Sequence, residues 1–160
     1  MKIEILNYCV YDNLVNSLTT RIENEIKRLK RTETINSIVV YGLPRGGLPI
    51  GVHISHHLKY DLITDLRDAP NHKDSYILLI VDDICDTGIT IERVIRECSK
   101  NYITATLYVK PQRLKITKHP HIYVKEVEDT TWIVFPWEDP GEAEREYQEH
   151  AISSSQILSS

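Results

Sequence analysis

The stretch from residue 76 to residue 90 decides the fold, and it reads Tyr76-Ile77-Leu78-Leu79-Ile80-Val81-Asp82-Asp83-Ile84-Cys85-Asp86-Thr87-Gly88-Ile89-Thr90. Its first six residues are apolar, which is typical of a strand buried on both faces of a parallel sheet. Two aspartates follow at once, and a polar loop with a glycine then leads into a predicted helix over 90–99. The stretch therefore predicts a strand–loop–helix unit whose polar residues stand at the carboxyl end of the strand.

Helices and strands alternate on both sides of this unit. Apolar spacing predicts helices over 12–30 and 48–59, with Asp12 capping the first of them. Apolar runs predict further strands over 37–41, 60–66, 103–109, 122–127 and 132–135, while 68–75 is polar and should be loop. This pattern is typical of the α/β class, with a mostly parallel central sheet flanked by helices. In such sheets ligands bind at the carboxyl ends of the strands.

Length and composition limit the class of protein. The chain has 160 residues, is 41% hydrophobic and 26% charged, and carries a formal net charge of -4. We expect one domain over 1–140 and an acidic, then serine-rich, C-terminal extension over 141–160 that is partly flexible. Mild acidity argues against a nucleic-acid partner, and the longest apolar run is too short to cross a membrane. Three cysteines without C-x-x-C spacing, and no signal peptide, favour a cytoplasmic protein.

The loop after the buried strand combines two kinds of binding group. Backbone N–H groups at a helix start, together with the hydroxyls of Thr87 and Thr90, suit a phosphate monoester. Carboxylates repel phosphate, so Asp82 and Asp83 should face sugar hydroxyls or Mg²⁺ instead. The loop is therefore predicted to bind a phosphorylated ribose. The alternative is a surface turn whose aspartates only cap a helix.

The segment 82–90 resembles the phosphoribosyl-pyrophosphate (PRPP) signature of the type I phosphoribosyltransferases: two acidic residues, two variable residues, then Asp-Thr-Gly-x-Thr. Three other segments resemble the 6-oxopurine branch, which includes xanthine-guanine phosphoribosyltransferase and its hypoxanthine-using relatives. They are Pro44-Arg45-Gly46-Gly47-Leu48, Val109-Lys110-Pro111, and Asp129-Thr130-Thr131-Trp132-Ile133-Val134-Phe135-Pro136-Trp137-Glu138. The resemblance covers about residues 8–139 and implies the type I phosphoribosyltransferase fold, with a small C-terminal hood.

The resemblance implies a role for each matching residue. Asp82 and Asp83 would bind the ribose hydroxyls and the Mg²⁺ of PRPP. The 5′-phosphate would be held by Asp86, Thr87, Gly88, Ile89 and Thr90. Asp86 would also lie near purine N7 as the general base. Arg45 and the backbone of Gly46 would hold pyrophosphate, after a Pro44–Arg45 peptide that is often cis in the family.

The purine would be bound by residues after two other strands. Lys110 would reach purine O6, where a cation favours an oxo group over the amino group of adenine. Trp132 would stack on the purine face, and the backbone of Ile133, with Glu138, would meet the edge near C2. The implied protein is a Mg²⁺-dependent purine salvage enzyme that transfers 5-phosphoribose from PRPP to guanine, xanthine or hypoxanthine and releases pyrophosphate. A homodimer or homotetramer is expected.

Each assignment has a plainer alternative. Arg45 could be an ordinary turn arginine, Lys110 a solvated lysine, and Trp132 a core aromatic, as Trp137 is expected to be. His53, His56 and His57 share a helix face but lack nearby acidic or cysteine ligands, which disfavours a metal site. The thiol of Cys85 lies near a helix N-terminus, which could lower its pKa, but Cys85 occupies a variable position of the signature and is expected only to fill space there.

One departure from the family concerns the loop that folds over the active site and supplies a Ser-Tyr pair and a basic residue to pyrophosphate. Only 68–75 remains of it here, so Arg67 or Lys73 would have to replace the basic contact. A shorter loop would expose the reaction to water. It motivates an alternative function, a non-catalytic sensor of PRPP or a nucleotide on the same fold. A metal-dependent phosphatase that uses Asp82 and Asp83 is a third hypothesis.

Overall fold

A computed structural model describes residues 2–70, 76–97, 101–115 and 120–157 of the chain. The chain divides into two compact units. The larger is the continuous segment Leu14–Asp129, and the smaller combines Met1–Asn13 with Thr130–Ser160. No helix among the described residues is both long enough and apolar enough to cross a membrane.

The larger unit is built on a five-stranded, wholly parallel sheet. Its strands are β2 (Ser37–Gly42), β3 (Asp61–Ile63), β4 (Tyr76–Cys85), β5 (Tyr102–Val109) and β6 (Ile122–Glu126), in the spatial order β3-β2-β4-β5-β6. The central strands are buried along most of their length, as continuous apolar runs require in a sheet covered on both faces. The predicted α/β architecture is confirmed.

Helices supply the apolar faces that cover this sheet. They are α2 (Gly47–Leu58), α3 (Ile89–Glu97) and most of α1 (Tyr8–Leu29). Ile91 and Val94 of α3 pack in one core cluster with Leu78 and Ile80 of β4. This packing fixes the start of α3 next to the end of β4, where the acidic loop lies.

The start of α1 differs from the sequence prediction. The helix begins at Tyr8 rather than near Asp12, because the Asn7 side chain caps it by accepting a hydrogen bond from the Val10 N–H at 2.9 Å. The apolar stripe was placed correctly, since Leu18, Ile22 and Ile26 are fully buried. The capping residue was missed because Asn7 stands about two turns before Leu14, the first residue of the predicted stripe.

The smaller unit contains a second parallel sheet of two strands. In it β1 (Lys2–Ile5) pairs with β7 (Thr131–Val134), so that Ile3 lies opposite Trp132. The helix α4 (Pro140–Ile157) follows, capped by Asp139, whose Oδ1 accepts hydrogen bonds from the N–H groups of Gly141 and Glu142 at 2.8 and 3.0 Å. This helix has 18 residues and runs through most of the segment that the sequence predicted to be a partly flexible extension. The proposed division into a domain over 1–140 and an extension over 141–160 stays a prediction.

Candidate active site

Three neighbouring strands of the larger unit end along one edge of the sheet. β2 ends opposite Val81 of β4, and β4 ends opposite Val109 of β5. Because the strands are parallel, the segments that follow them meet at this edge. The end of β4 and these segments carry ten of the predicted site residues: Arg45, Gly46, Asp82, Asp83, Asp86, Thr87, Gly88, Ile89, Thr90 and Lys110.

The two adjacent aspartates belong to β4 itself, which runs four residues beyond its predicted end. Asp83 Oδ1 accepts a hydrogen bond from the Ile84 N–H at 2.6 Å, and Asp82 Oδ1 accepts one from the Asp83 N–H at 3.0 Å. Burial, with the neighbouring charge of Asp83, raises the pKa of Asp82 well above its usual range. Burial also raises the pKa of Asp83. Two negative charges on Asp82 and Asp83 are therefore disfavoured in the protein alone, and a bound hydroxyl group or cation would stabilise them.

The turn after β2 presses against these carboxylates. A Cβ atom on Gly46 would lie 1.9 Å from Asp83 Oδ2, and one on Gly47 would lie 2.3 Å from the Val81 carbonyl oxygen. Only glycine therefore permits this approach at either position. The peptide between Pro44 and Arg45 is cis, which confirms the prediction, and the Arg45 side chain is exposed. Because Gly46 has no side chain, the backbone of this turn lies directly beside the acidic pair.

The loop after β4 is built to present backbone N–H groups. Gly88 has a φ of 78°, a conformation that side chains other than glycine rarely adopt. The Thr87 carbonyl accepts a hydrogen bond from the Lys115 N–H at 3.1 Å, and the Glu92 N–H donates to the Gly88 carbonyl at 2.9 Å. With these carbonyls engaged, Ile89 and Thr90 begin α3 on the exposed side of the loop. The arrangement is typical of an anion site at a helix start.

Asp86 is paired with an arginine that no sequence motif singled out. Arg113 Nε lies 2.7 Å from Asp86 Oδ1, and both side chains are partly exposed. Arg113 ends a short 3₁₀ turn, Pro111–Arg113, that follows β5. Nothing in the Lys-Pro motif marks a residue three positions beyond the lysine, so sequence analysis had no signal for it.

Lys110 is buried, with only 5% of its surface exposed. Its Nζ donates a hydrogen bond to the Asp129 carbonyl oxygen at 3.3 Å. Burial lowers the pKa of this ammonium group, the charges of Asp86 and Asp129 oppose that shift, and Arg113 adds to it. The alternative of a solvated lysine is wrong for this chain, because β5 carries the side chain into the protein.

Cys85 does not have the activated thiol that its position suggested. It is buried in the core, and burial, together with the charges of Asp82 and Asp86, raises its pKa to about 12. A helix N-terminus would lower the pKa of a nearby thiol, but this lowering is outweighed because the Cys85 side chain lies in the core, beside carboxylates. Cys85 is therefore a packing residue.

Trp132 and Ile133, the other two predicted site residues, lie in β7 of the smaller unit. Trp132 makes an edge contact with Tyr147 of α4, with ring centroids 5.6 Å apart. Glu138 closes a turn by accepting a hydrogen bond from the Phe135 N–H at 2.8 Å. Trp137 stacks on Phe135, in agreement with its assignment as a core aromatic. Tyr147 was not predicted, because the segment that carries it was expected to be a partly flexible extension.

Arg67 and the histidines of α2 have contacts of their own. Arg67 is ion-paired with Asp65 and lowers the pKa of that carboxyl to about 2. Lys73 lies outside the described residues. On α2, the rings of His53 and His57 stack 6.4 Å apart, and His53 Nε2 is 3.3 Å from Asn16 Oδ1.

The carboxylates of Asp82 and Asp83 are oxygen ligands of the kind that Mg²⁺ prefers. No group of three or more His, Cys, Asp or Glu side chains within the described part of the chain is placed to hold a metal. Two carboxylates in a site that disfavours their charge are nevertheless suitable ligands, because Mg²⁺ often binds one or two carboxylates and takes its other oxygens from water and a substrate phosphate. Asp82 and Asp83 therefore fit an ion that arrives with its substrate.

Comparison with known proteins agrees with this geometry. The family described as the phosphoribosyl transferase domain matches residues 61–140. Xanthine-guanine phosphoribosyltransferase of Gluconobacter oxydans is 45% identical over 60 residues, covering 38% of this chain and 33% of that protein. The enzyme of the same name from Cereibacter sphaeroides is 30% identical over 117 residues, covering 62% and 68% respectively.

A solved structure is similar over more of the chain. The purine phosphoribosyltransferase of Pyrococcus horikoshii has a TM-score of 0.65 at 28% identity, covering 87% of this chain and 95% of that one. The sequence matches to the first two relatives span about a third and about two thirds of their lengths. The family match covers half of the chain and includes the acidic loop. The chain therefore belongs to the phosphoribosyltransferase family and has the type I fold, as its motifs predicted.

Proposed function

We propose that this chain transfers 5-phosphoribose from PRPP to N9 of a 6-oxopurine, namely guanine, xanthine or hypoxanthine, and releases pyrophosphate. The bond from C1′ to the pyrophosphate oxygen breaks, the bond from C1′ to N9 forms, and the purine loses one proton. The observation that carries the proposal is the convergence of the acidic pair, the anion loop, the Arg45–Gly46 turn and Lys110 at one sheet edge.

PRPP is bound by the segments after β2 and β4. Asp82 and Asp83 bind the ribose hydroxyls and the Mg²⁺ ion, which neutralises pyrophosphate charge when bound. The loop from Asp86 to Thr90 holds the 5′-phosphate through backbone N–H groups and hydroxyls. The Arg45 side chain and the Gly46 backbone hold pyrophosphate. Because Gly46 has no Cβ atom, its backbone can bind pyrophosphate close to the Asp83 carboxylate.

The purine is recognised by its polar edges and by its face. Lys110 donates to O6, and its burial makes that hydrogen bond stronger than it would be in water. Adenine presents an amino group there, which a lysine cannot accept from. Trp132 stacks on the base, and the backbone of Ile133 contacts the edge near C2. Asp86 accepts the proton at N7 as the general base or stabilises it there.

Several coarser expectations accompany this proposal. The protein works in the cytoplasm, where three cysteines without C-x-x-C spacing would stay reduced. It forms a homodimer or homotetramer, as the resemblance implies, and it needs neither nucleic acid nor membrane. Arg67 or Lys73 replaces the basic contact of the shortened loop, and Arg67 must first leave Asp65 to do so.

An endpoint assay tests the proposal. The protein is incubated with PRPP and Mg²⁺ and with guanine, hypoxanthine, xanthine or adenine separately, and nucleotides are identified by chromatography. We expect a monophosphate from at least one oxopurine, none from adenine, and none after chelation of Mg²⁺. The Asp86→Ala variant should lose activity, whereas Arg96→Gln, which breaks only a surface ion pair with Glu92, should keep it.

Two further measurements, PRPP binding and phosphate release from simple monoesters, separate the alternatives. PRPP binding without any product would favour the sensor, with the short connection between β3 and β4 as its physical reason. Release of phosphate from simple monoesters would favour the phosphatase. Absence of PRPP binding would contradict both the transferase and a sensor of PRPP.

A further inference from the structure

The ion pair between Asp86 and Arg113 joins two segments of the proposed site that no motif connects. Asp86 lies in the loop after β4, and Arg113 lies in the turn after β5. Arg113 Nε approaches Asp86 Oδ1 to 2.7 Å. The contact therefore links the proposed general base to the segment that begins with Lys110.

The two oxygens of the Asp86 carboxylate have different surroundings. Oδ1 is shielded from solvent and accepts no well-aligned hydrogen bond from the described residues, so the guanidinium charge is what compensates it. The Asp86 side chain as a whole is 39% exposed. Because Oδ1 contributes nothing to that exposure, the accessible oxygen is Oδ2. The carboxylate thus presents a single oxygen to a ligand.

The backbone fixes the position from which Arg113 acts. The Lys110 N–H donates to the Cys85 carbonyl at 3.0 Å, and the Arg113 N–H donates to the Lys110 carbonyl at 3.1 Å. A third hydrogen bond, from the Lys115 N–H to the Thr87 carbonyl at 3.1 Å, closes the far side of the turn. Arg113 is therefore carried by a turn that is attached to the Asp86 loop on both sides.

We propose that Arg113 is a positioning residue for Asp86: its guanidinium holds Oδ1, so that Oδ2 faces the imidazole edge of the bound purine. The inference rests on the proposed function. A purely stabilising role does not account for the pair, because partly exposed ion pairs contribute little to folding. The pair Arg96–Glu92 has a similar distance, 2.8 Å, and similar exposure of its carboxylate, but it lies outside the proposed site and serves as a matched control.

Steady-state kinetics of four variants test this role. Arg113→Gln removes the charge and should lower kcat about tenfold, because small misplacement of a reacting group is costly. It should change KM for PRPP less than twofold, because other groups bind the ribose and phosphates. Arg113→Lys keeps the positive charge but lacks the planar guanidinium group, so its kcat should lie between those of Arg113→Gln and the wild type. Arg96→Gln should match the wild type.

Dependence on Asp86 is tested by combining variants. If Arg113 acts through Asp86, then Arg113→Gln should cost little further activity in the Asp86→Asn background. An Arg113→Gln enzyme with wild-type kcat would overturn the inference, as would an equal loss in both backgrounds or a failure of Arg113→Lys to recover any activity. A wild-type protein that forms no nucleotide would instead refute the proposed function, and the role of Arg113 with it.

Discussion

The contact between Gly46 and Asp83 makes a sharp prediction about the substitution Gly46→Ala. Gly46 has φ −63° and ψ −34°, which alanine adopts freely, so the backbone carries no penalty. The added Cβ would lie 1.9 Å from Asp83 Oδ2. Carbon and oxygen atoms normally stay about 3.3 Å apart, so the carboxylate must move by about 1.4 Å. The variant therefore displaces Asp83 without altering any charged group.

The cost of that displacement follows from the contacts of Asp83. Its Oδ1 accepts the Ile84 N–H at 2.6 Å, and a hydrogen bond to a charged group is worth about 1.5–3 kcal/mol. Loss of this bond should lower Tm by about 3–12 °C for a chain of this size. Misplacement of a ribose ligand by about 1 Å should lower kcat/KM for PRPP about a hundredfold.

Thermal unfolding and PRPP kinetics of three variants would measure both effects. Asp83→Ala removes the atoms that the new Cβ would meet, so Gly46→Ala should cost almost no further stability in that background. Activity should stay low in the double variant, because the ribose ligand is absent. An equal loss of Tm from Gly46→Ala in both backgrounds would refute the reasoning, since the clash would then lie elsewhere.

Three further predictions concern the loop, the base site and the smaller unit. Gly88→Ala should cost about 1–2 kcal/mol in urea unfolding because φ is 78°, and Gly88→Asn should cost less; equal losses would contradict this explanation. Lys110→Met should raise Tm at neutral pH, because burial disfavours the ammonium charge. The same variant should weaken purine turnover, because it removes the proposed hydrogen bond to O6. The difference in Tm between Lys110→Met and the wild type should shrink as pH rises through the lowered pKa toward the usual lysine value of 10.5, because the wild-type lysine then loses the charge that burial disfavours. The surface variant Lys27→Met serves as the control and should show no such increase in Tm. Tyr147→Ala should raise purine KM about two- to tenfold by removing the edge contact with Trp132, whereas Tyr147→Phe should not; an unchanged KM in Tyr147→Ala would exclude that support.

The sequence was sufficient to predict the sheet and to place most of the proposed site residues at one edge of it, because both depend on local patterns. Continuous apolar runs predicted the buried strands, and the motifs placed polar residues where those strands end. The parallel pairing of β2, β4 and β5 then brings these residues to one edge without further information. The cis Pro44–Arg45 peptide was predicted only through the family resemblance.

The features that sequence analysis missed depend on the environment of a side chain. The pKa of Cys85 is raised because its thiol points into the core, which a position in a motif does not reveal. Arg113 meets Asp86 only because two loops are joined by backbone hydrogen bonds. β1 has four residues, of which two are apolar, and that is too short a pattern for a strand to be recognised.

The pairing of β1 with β7 has a consequence for the order of events during synthesis. Ile5 leaves the ribosome roughly 130 residues before its partner Val134, a delay of about 6–26 seconds at usual elongation rates. A two-stranded sheet is marginal by itself, so β1 gains little from any earlier arrangement. The continuous segment Leu14–Asp129 is complete before β7 exists and can fold while translation proceeds. Formation of the acidic loop after β4 therefore does not have to wait for β7, whereas the sheet that carries Trp132 forms only when β1 and β7 meet.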